Sequence, residues 1–543
     1  MPRPQIPDEL LAKIARRAVA RLARTDRPFV AERVLGVCAQ RVRDRRLRAD
    51  LLGEAADAQL GRGLTPRHLV QAYGAELVCA DAQLKAGHRK EAAASLTRAL
   101  LLAFHRVPHI DRLHSPLSDD PAGFTARLRS SAAARAVAAP RGRKTPPAAP
   151  PADRPLRLLV VNRANANFLG LLTERYANHP GVELRTLDLA ADPELAPLAK
   201  GLQRMIELPL GGQAPYGAAV EAALRPHLDW ADTVFVEWCS LAAAFMTLVD
   251  PGSTRIVVRL HKYESFTYWP HIMDFSRVDD IVFIAEHMRE MTTAAVPRLL
   301  ADDAPHLRFL HNALDLRRFD RPKNDDARFT VGLVGIGQIA KDPRWALEVL
   351  RLLRARDERY RLLMVGGGIN PEPSPAAGAY HAALEKELAE LEPSGAVHRL
   401  GPSDDVAGVL AGVGVILSSS VREGCHVGLM EGAASGAVPV VRDWPFVAGR
   451  PHSTRTLFPE DWVVTTPQQA ADRILALTAS EDVRAAAGRE ASRHALSTWD
   501  WETVRDDYDH LLLGADRDVA GPPTPAGAAG GGSGNRDASD HRG

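Results

Sequence analysis

From Leu156 onward the chain repeats one local pattern, a short apolar run followed by a longer stretch with apolar residues three and four apart. The runs read as buried strands and the stretches between them as amphipathic helices. LRLLVV, VELRTL, TVFVEW, TRIVVRL, DIVFIA and HLRFL form a first series, separated mostly by FLGLLTERYA, GAAVEAALRPHL, SLAAAFMTLV and EHMREMTTAAV. A second series begins at Phe329 with FTVGLV, YRLLMVGG, AVHRLG, VGVILSS, AVPVV and WVVTT, around helices at WALEVLRLLRA, AYHAALEKELAEL and DDVAGVLAG. Strand–helix–strand repeats satisfy their backbone as a parallel sheet covered on both faces, so the class is α/β. Two such units in tandem leave a cleft between them, where ligands bind. No GxGxxG follows the first strand, where Val161 leads into NRANANF, so a dinucleotide site loses support there.

The rest of the 543 residues is organised around this pair. Residues 1–115 read as an all-helical accessory domain. QAYGAELVCADAQLKAGHRKEAAASLTRALLLAF resembles a tetratricopeptide-type helix pair turning at Gly87. Such a domain serves a protein partner or supports the fold. Residues 116–155, rich in Ala, Pro and Arg, read as a disordered linker, and 514–543 as a disordered tail. Residues 156–325 and 326–513 are the two α/β units, the second closed by helices that include STWDWETVRDDYDHLL. A net charge of +1 supplies no field to recruit nucleic acid. Four scattered cysteines without a CxxC suggest neither a disulfide framework nor a zinc site. No apolar run of membrane-spanning length occurs, so the expectation is a cytoplasmic protein with at most peripheral membrane contact.

Val415 to Val441, VILSSSVREGCHVGLMEGAASGAVPVV, carries the most chemistry. A strand leads into a loop with Arg422, Glu423 and Gly424, then a helix ending at Gly436, then another strand. Glu423 therefore lies beyond the carboxyl end of a strand, where open parallel sheets hold ligands. Gly424 and Gly428 have no Cβ and let a ligand approach closely, and the helix start offers free N–H groups to a diphosphate. Glu431 is near enough to accept bonds from sugar hydroxyls. Read without that context, both glutamates are solvated surface charges.

The spacing Glu423-x7-Glu431, with Gly424 after the first and SGAVPVV after the second, resembles the signature of the large retaining GT-B glycosyltransferase family. Cys425 and His426 stand where that family has Phe-Gly. HNALDLRRF resembles its interdomain stretch, with Asn312, Asp315 and Phe319 in matching places. The resemblance covers roughly residues 156 to 513 and implies a GT-B fold, two Rossmann-like domains facing a cleft. It implies Glu423, His261 and Lys341 as catalytic residues. Glu423 would contact the donor sugar near the reacting carbon, His261 would face the transferred sugar, and Lys341 would stabilise the leaving diphosphate. Donor binding would fall to Glu431 on the ribose and to Gly424, Cys425, His426, Val427, Gly337, Gln338, Gly366 and Arg422. Gln338 stands where the family has an arginine, so either Arg344 or Arg422 supplies the charge or the clamp is weaker than usual.

The function implied is transfer of a sugar, with retention, from a nucleotide-diphosphate sugar to a glycan, lipid-linked or small-molecule acceptor. No cofactor or metal is expected, since side-chain cations and a helix N-terminus would carry the electrostatic work. Two alternatives stay open, a non-catalytic scaffold working through its helical domain and a GT-B nucleotide-sugar epimerase.

Overall fold

The structure, a computed structural model, describes residues 6–22 and 27–514. The expected tail lies outside them, beyond Gly514. Five helices open the chain, α1 (Asp8–Leu22), α2 (Pro28–Arg41), α3 (Arg45–Leu60), α4 (Leu69–Lys85) and α5 (Arg89–Ala103). Small and aliphatic residues form their inner faces, among them Ala55, Ala72, Ala92, Leu96 and Ala99, so the helices approach closely. Between α4 and α5 the chain reverses at Gly87, whose φ of +79° is a left-handed conformation that glycine takes without strain.

The stretch 116–155 is not a disordered linker. It carries helices Pro116–Asp119, Pro121–Ser130 and Ala132–Val137. Ser115, Asp120 and Ser131 each cap one of them by accepting a backbone N–H three residues on. Phe124 and Leu128 are buried. The basic run beyond is tied to the first α/β lobe by ion pairs, Arg141 to Asp274 at 3.1 Å and Arg143 to Asp279 at 2.6 Å. Composition misled here because the partners of those arginines lie far along the chain.

The first lobe contains β1 (Leu156–Asn162), β2 (Val182–Asp188), β3 (Thr233–Glu237), β4 (Arg255–Leu260), β5 (Asp280–Phe283) and β6 (His306–Phe309). All pair in parallel, in the order β2-β1-β3-β4-β5-β6. The second contains β7 (Thr330–Val334), β8 (Arg361–Val365), β9 (Val397–Gly401), β10 (Val415–Ser418), β11 (Val438–Arg442) and β12 (Val463–Val464). These are also parallel, in the order β12-β11-β10-β7-β8-β9. Both lobes are thus doubly wound, as expected. The order of the second reverses between β7 and β10, which opens a crevice at the carboxyl ends of those two strands.

Two connections join the lobes besides the segment between β6 and β7. The last helix, Trp501–Leu513, crosses back onto the first lobe, where Val504, Tyr508 and Leu512 share an apolar cluster with Leu158, Val160 and Phe235. The helical domain touches both lobes. On the first, Phe104 packs against the His271 ring at 4.8 Å and Thr125 Oγ1 donates to the Ala295 carbonyl at 3.0 Å. On the second, Arg422 and Ser374 donate to residues 111–113, and Arg450 donates to the Ser118 carbonyl. Among the described residues, no helix is long and apolar enough to cross a membrane.

Candidate functional site

The crevice is flanked by the loop after β7, which carries Gly337, Gln338 and Lys341, and the loop after β10, which carries Arg422 to His426. Facing both is the turn after β4, residues 261–264. Glu423 sits at the meeting point and is 4% exposed. One carboxylate oxygen lies 2.6 Å from Lys341 Nζ and accepts from Ser420 Oγ at 2.7 Å. The other lies 3.3 Å from Lys262 Nζ, which reaches across from the first lobe. Burial alone would push this carboxyl up, but the ammonium groups of Lys262 and Lys341 outweigh it and hold Glu423 well below the usual carboxylate range.

Lys262 is the functional side chain that sequence reasoning missed. Its Nζ also donates to Gln338 Oε1 and to the Arg422 carbonyl, both at 3.2 Å. A cation from the opposite lobe therefore stands beside Gln338, where an arginine was expected. Neither expected substitute is there. Arg344 pairs with Glu387 at 2.6 Å, on helix Pro375–Leu391. Arg422 spends NH1 on the Leu113 carbonyl at 2.8 Å and NH2 on that of Arg112 at 2.9 Å. The only local signal for Lys262 was its place beside His261 at the end of a strand.

The expected donor-binding set divides. Gly337 and Gly366 lie in neighbouring loops, since a Cβ on Gly337 would meet the Gly367 carbonyl and one on Gly366 would meet Gly335. Val427 opens the helix Val427–Ala434, with His426 at its N-cap in a left-handed conformation, φ 52°. His426 Nδ1 pairs with Ser418 Oγ at 2.6 Å, and its buried Nε2 has no partner. Burial brings this imidazole down to about 3, so it is neutral. Glu431 projects from the same helix, and burial raises its carboxyl to about 7. Cys425 faces protein, with Asn312 Nδ2 donating to its Sγ at 3.3 Å and burial pushing the thiol up to about 12.

The two loop glycines leave room for protein contacts. A Cβ at Gly424 would lie 2.7 Å from Ile284 Cδ1 of the first lobe, and one at Gly428 would lie 2.9 Å from Val334 Cβ. His287 of the first lobe adds a bond from Nε2 to the Glu423 carbonyl, 2.9 Å. The loop holding Glu423 is thus gripped from across the cleft through backbone, side chain and van der Waals contact.

His261 directly follows β4, 4% exposed, with Nε2 on Glu237 Oε1 at 2.6 Å. Its ring clusters with those of Phe168, at 5.0 Å, and Trp238, at 4.1 Å. Glu237 also binds the buried guanidinium of Arg259, which donates to Tyr508 on the last helix. His261 is an anchor for the turn that carries Lys262, and burial holds its pKa below the ordinary value. Trp238 takes a φ of +71°, unusual for a bulky side chain, at the carboxyl end of β3.

Among the described residues, no three His, Cys, Asp or Glu side chains are grouped to hold a metal ion. A cavity of about 270 Å³ adjoins Lys262 and Gln338 and is closed on one side by the helical domain.

Residues 328–480, most of the second lobe, match the family model described as glycosyl transferases group 1. No curated protein sequence matches the chain. Among solved structures, HepE of Anabaena in complex with UDP and glucose is 14% identical, with a TM-score of 0.50 over 66% of this chain and all of that one. A sucrose-phosphate synthase from Thermosynechococcus elongatus aligns at 16% identity and TM-score 0.48, over 66% of this chain and 98% of its own. TarM aligns at 14% identity and TM-score 0.42, over 55% of this chain, which spans 58% of TarM. The match to the group 1 model thus lies within the second lobe, and the two lobes together form the GT-B fold that HepE also has.

Proposed function

We propose that the protein is a retaining glycosyltransferase that moves a sugar from a nucleotide-diphosphate donor to a glycan, lipid-linked or small-molecule acceptor. One observation carries the reading, a buried carboxylate, Glu423, bracketed by two lysines from opposite lobes at the mouth of the crevice between β7 and β10. Two cations sharing one anion are under-neutralised, and a diphosphate supplies the missing charge. Lys341 and Lys262 then stabilise the charge that grows on the departing β-phosphate oxygen, which is where electrostatic catalysis acts most strongly. The N–H groups opening helix Val427–Ala434 add to that hold.

In the step proposed, the bond between the anomeric carbon and the β-phosphate oxygen breaks as the acceptor hydroxyl oxygen bonds to that carbon. The hydroxyl proton passes to the departing diphosphate. Glu423 stays ionised throughout beside the reacting carbon, and Glu431 accepts bonds from the ribose hydroxyls. HepE, whose structure holds UDP and glucose, shares the fold, which supports a nucleotide-sugar donor here. The lysines meet the diphosphate charge without a metal, so turnover should persist in excess EDTA. Proton NMR of the product tests the stereochemistry. The donor's anomeric configuration should reappear in the new glycoside, and an inverted product would exclude retention.

A further inference from the structure

The helical domain forms one wall of the cavity beside the reaction centre. Its segment after α5 contributes Arg106, Ile110 and Asp111, the first lobe contributes Lys262, and the second contributes Gln338 and Ile369. That segment is built firmly. Asp111 is buried and accepts from Arg106 Nε at 2.7 Å and NH2 at 2.9 Å, and from Ser374 Oγ of the second lobe at 2.7 Å. Arg422, its guanidinium 5.4 Å from the Phe266 ring centre, holds the carbonyls of residues 112 and 113. At the far edge of the contact, Gly63 lies so close to the backbone of Ala376 that a Cβ there would overlap it.

The charges lining this space are unbalanced. Arg106, Lys262 and Arg422 are cationic, and Asp111 is the single acidic lining residue. Glu423 stands behind Lys262 but is shared with Lys341. Ile110, Ile339, Ile369 and Phe266 supply apolar walls. Lys341, Glu423 and Glu431 do not line the cavity, whereas Lys262, assigned above to the donor diphosphate, does, together with Gly337 and Gln338, so the cavity adjoins the donor site directly.

We propose that this three-domain cavity is the acceptor subsite and that it takes an acceptor bearing a phosphate or carboxylate group, with Arg106 of the helical domain as its recognition residue. The proposal rests on the transferase reading. The helical domain is then part of the substrate site, and acceptor choice is set by a segment outside both lobes. Cations in excess at a partly dry wall favour an anionic ligand group over a neutral one.

The test uses the full chain, loaded with whichever of UDP, GDP, ADP or dTDP raises its melting temperature most. Glycerol 3-phosphate and glucose 6-phosphate are then added, with glycerol and glucose as neutral counterparts. The phosphorylated probes should raise the melting temperature again and the neutral ones should not. Ile110→Trp, which fills the cavity, should abolish the second rise and keep the first. Arg106→Gln, a milder change, should weaken phosphorylated-probe binding about tenfold or more. A second rise that survives both substitutions, neutral probes binding as well as charged ones, or no second rise at all overturns the proposal. A missing first rise is a different result and counts against the transferase reading itself.

Discussion

At the scale of single residues, the chain meets a missing charge by reaching across its cleft. Gln338 stands where a cation was expected, and Lys262 stands 3.2 Å from its side-chain oxygen. Lys262→Met should lower kcat/KM by about a hundredfold or more, the usual loss for one electrostatic donor. Adding Gln338→Arg to that variant should restore part of the rate, whereas a merely structural lysine would not be rescued. Glu264 carries a second prediction. Its carboxyl is fully buried, accepts the Cys239 and His261 N–H groups on Oε1, and leaves Oε2 without a partner. Burial raises it from 4.5 to about 8. The folded state therefore prefers the neutral acid, and the stability from this group is complete below about pH 4 and lost as pH rises through 8. Glu264→Gln mimics the neutral form, so its melting temperature should fall less than the parent's between pH 5 and 8. An equal fall in both would remove Glu264 as the cause.

Among elements, the strands were the most legible. All twelve appear where short apolar or alternating runs stood; burial on both faces forces the apolar runs of the inner strands, while the edge strands β2, β6 and β9 are only partly buried. That both sheets are parallel and doubly wound, and that Glu423 lies in the loop beyond the carboxyl end of β10, followed from the same pattern. What stayed hidden was tertiary. Arg422 looks like a donor ligand until the carbonyls of residues 112 and 113 are seen against it, and Lys262 looks like a surface lysine until the lobes meet. Gly424 is the sharpest case. Read as room for a ligand, it is room for Ile284, with a would-be Cβ contact of 2.7 Å. Gly424→Ala should destabilise the protein by about 1–3 kcal/mol, as over-packing does. Gly424→Ala with Ile284→Val should recover part of that loss in denaturant titration, and no recovery would place the cost elsewhere.

At the scale of the whole molecule, three domains meet around the loop that carries Arg422 and Glu423. The last helix clasps the first lobe through Tyr508, whose hydroxyl donates to the His311 carbonyl at 2.7 Å and accepts from Arg259. The helical domain bridges both lobes, so the cleft is held together from two sides. On the proposed reading, the Lys262–Glu423–Lys341 cluster receives a nucleotide diphosphate. Thermal-shift measurement of the full chain against UDP, GDP, ADP and dTDP tests it most directly. A ligand at a hundred times its dissociation constant adds about 2.7 kcal/mol to the native state. The account predicts that one nucleotide raises the melting temperature and that Lys341→Met and Lys262→Met each reduce the rise. A rise unchanged in both variants, or none with any nucleotide, would contradict it.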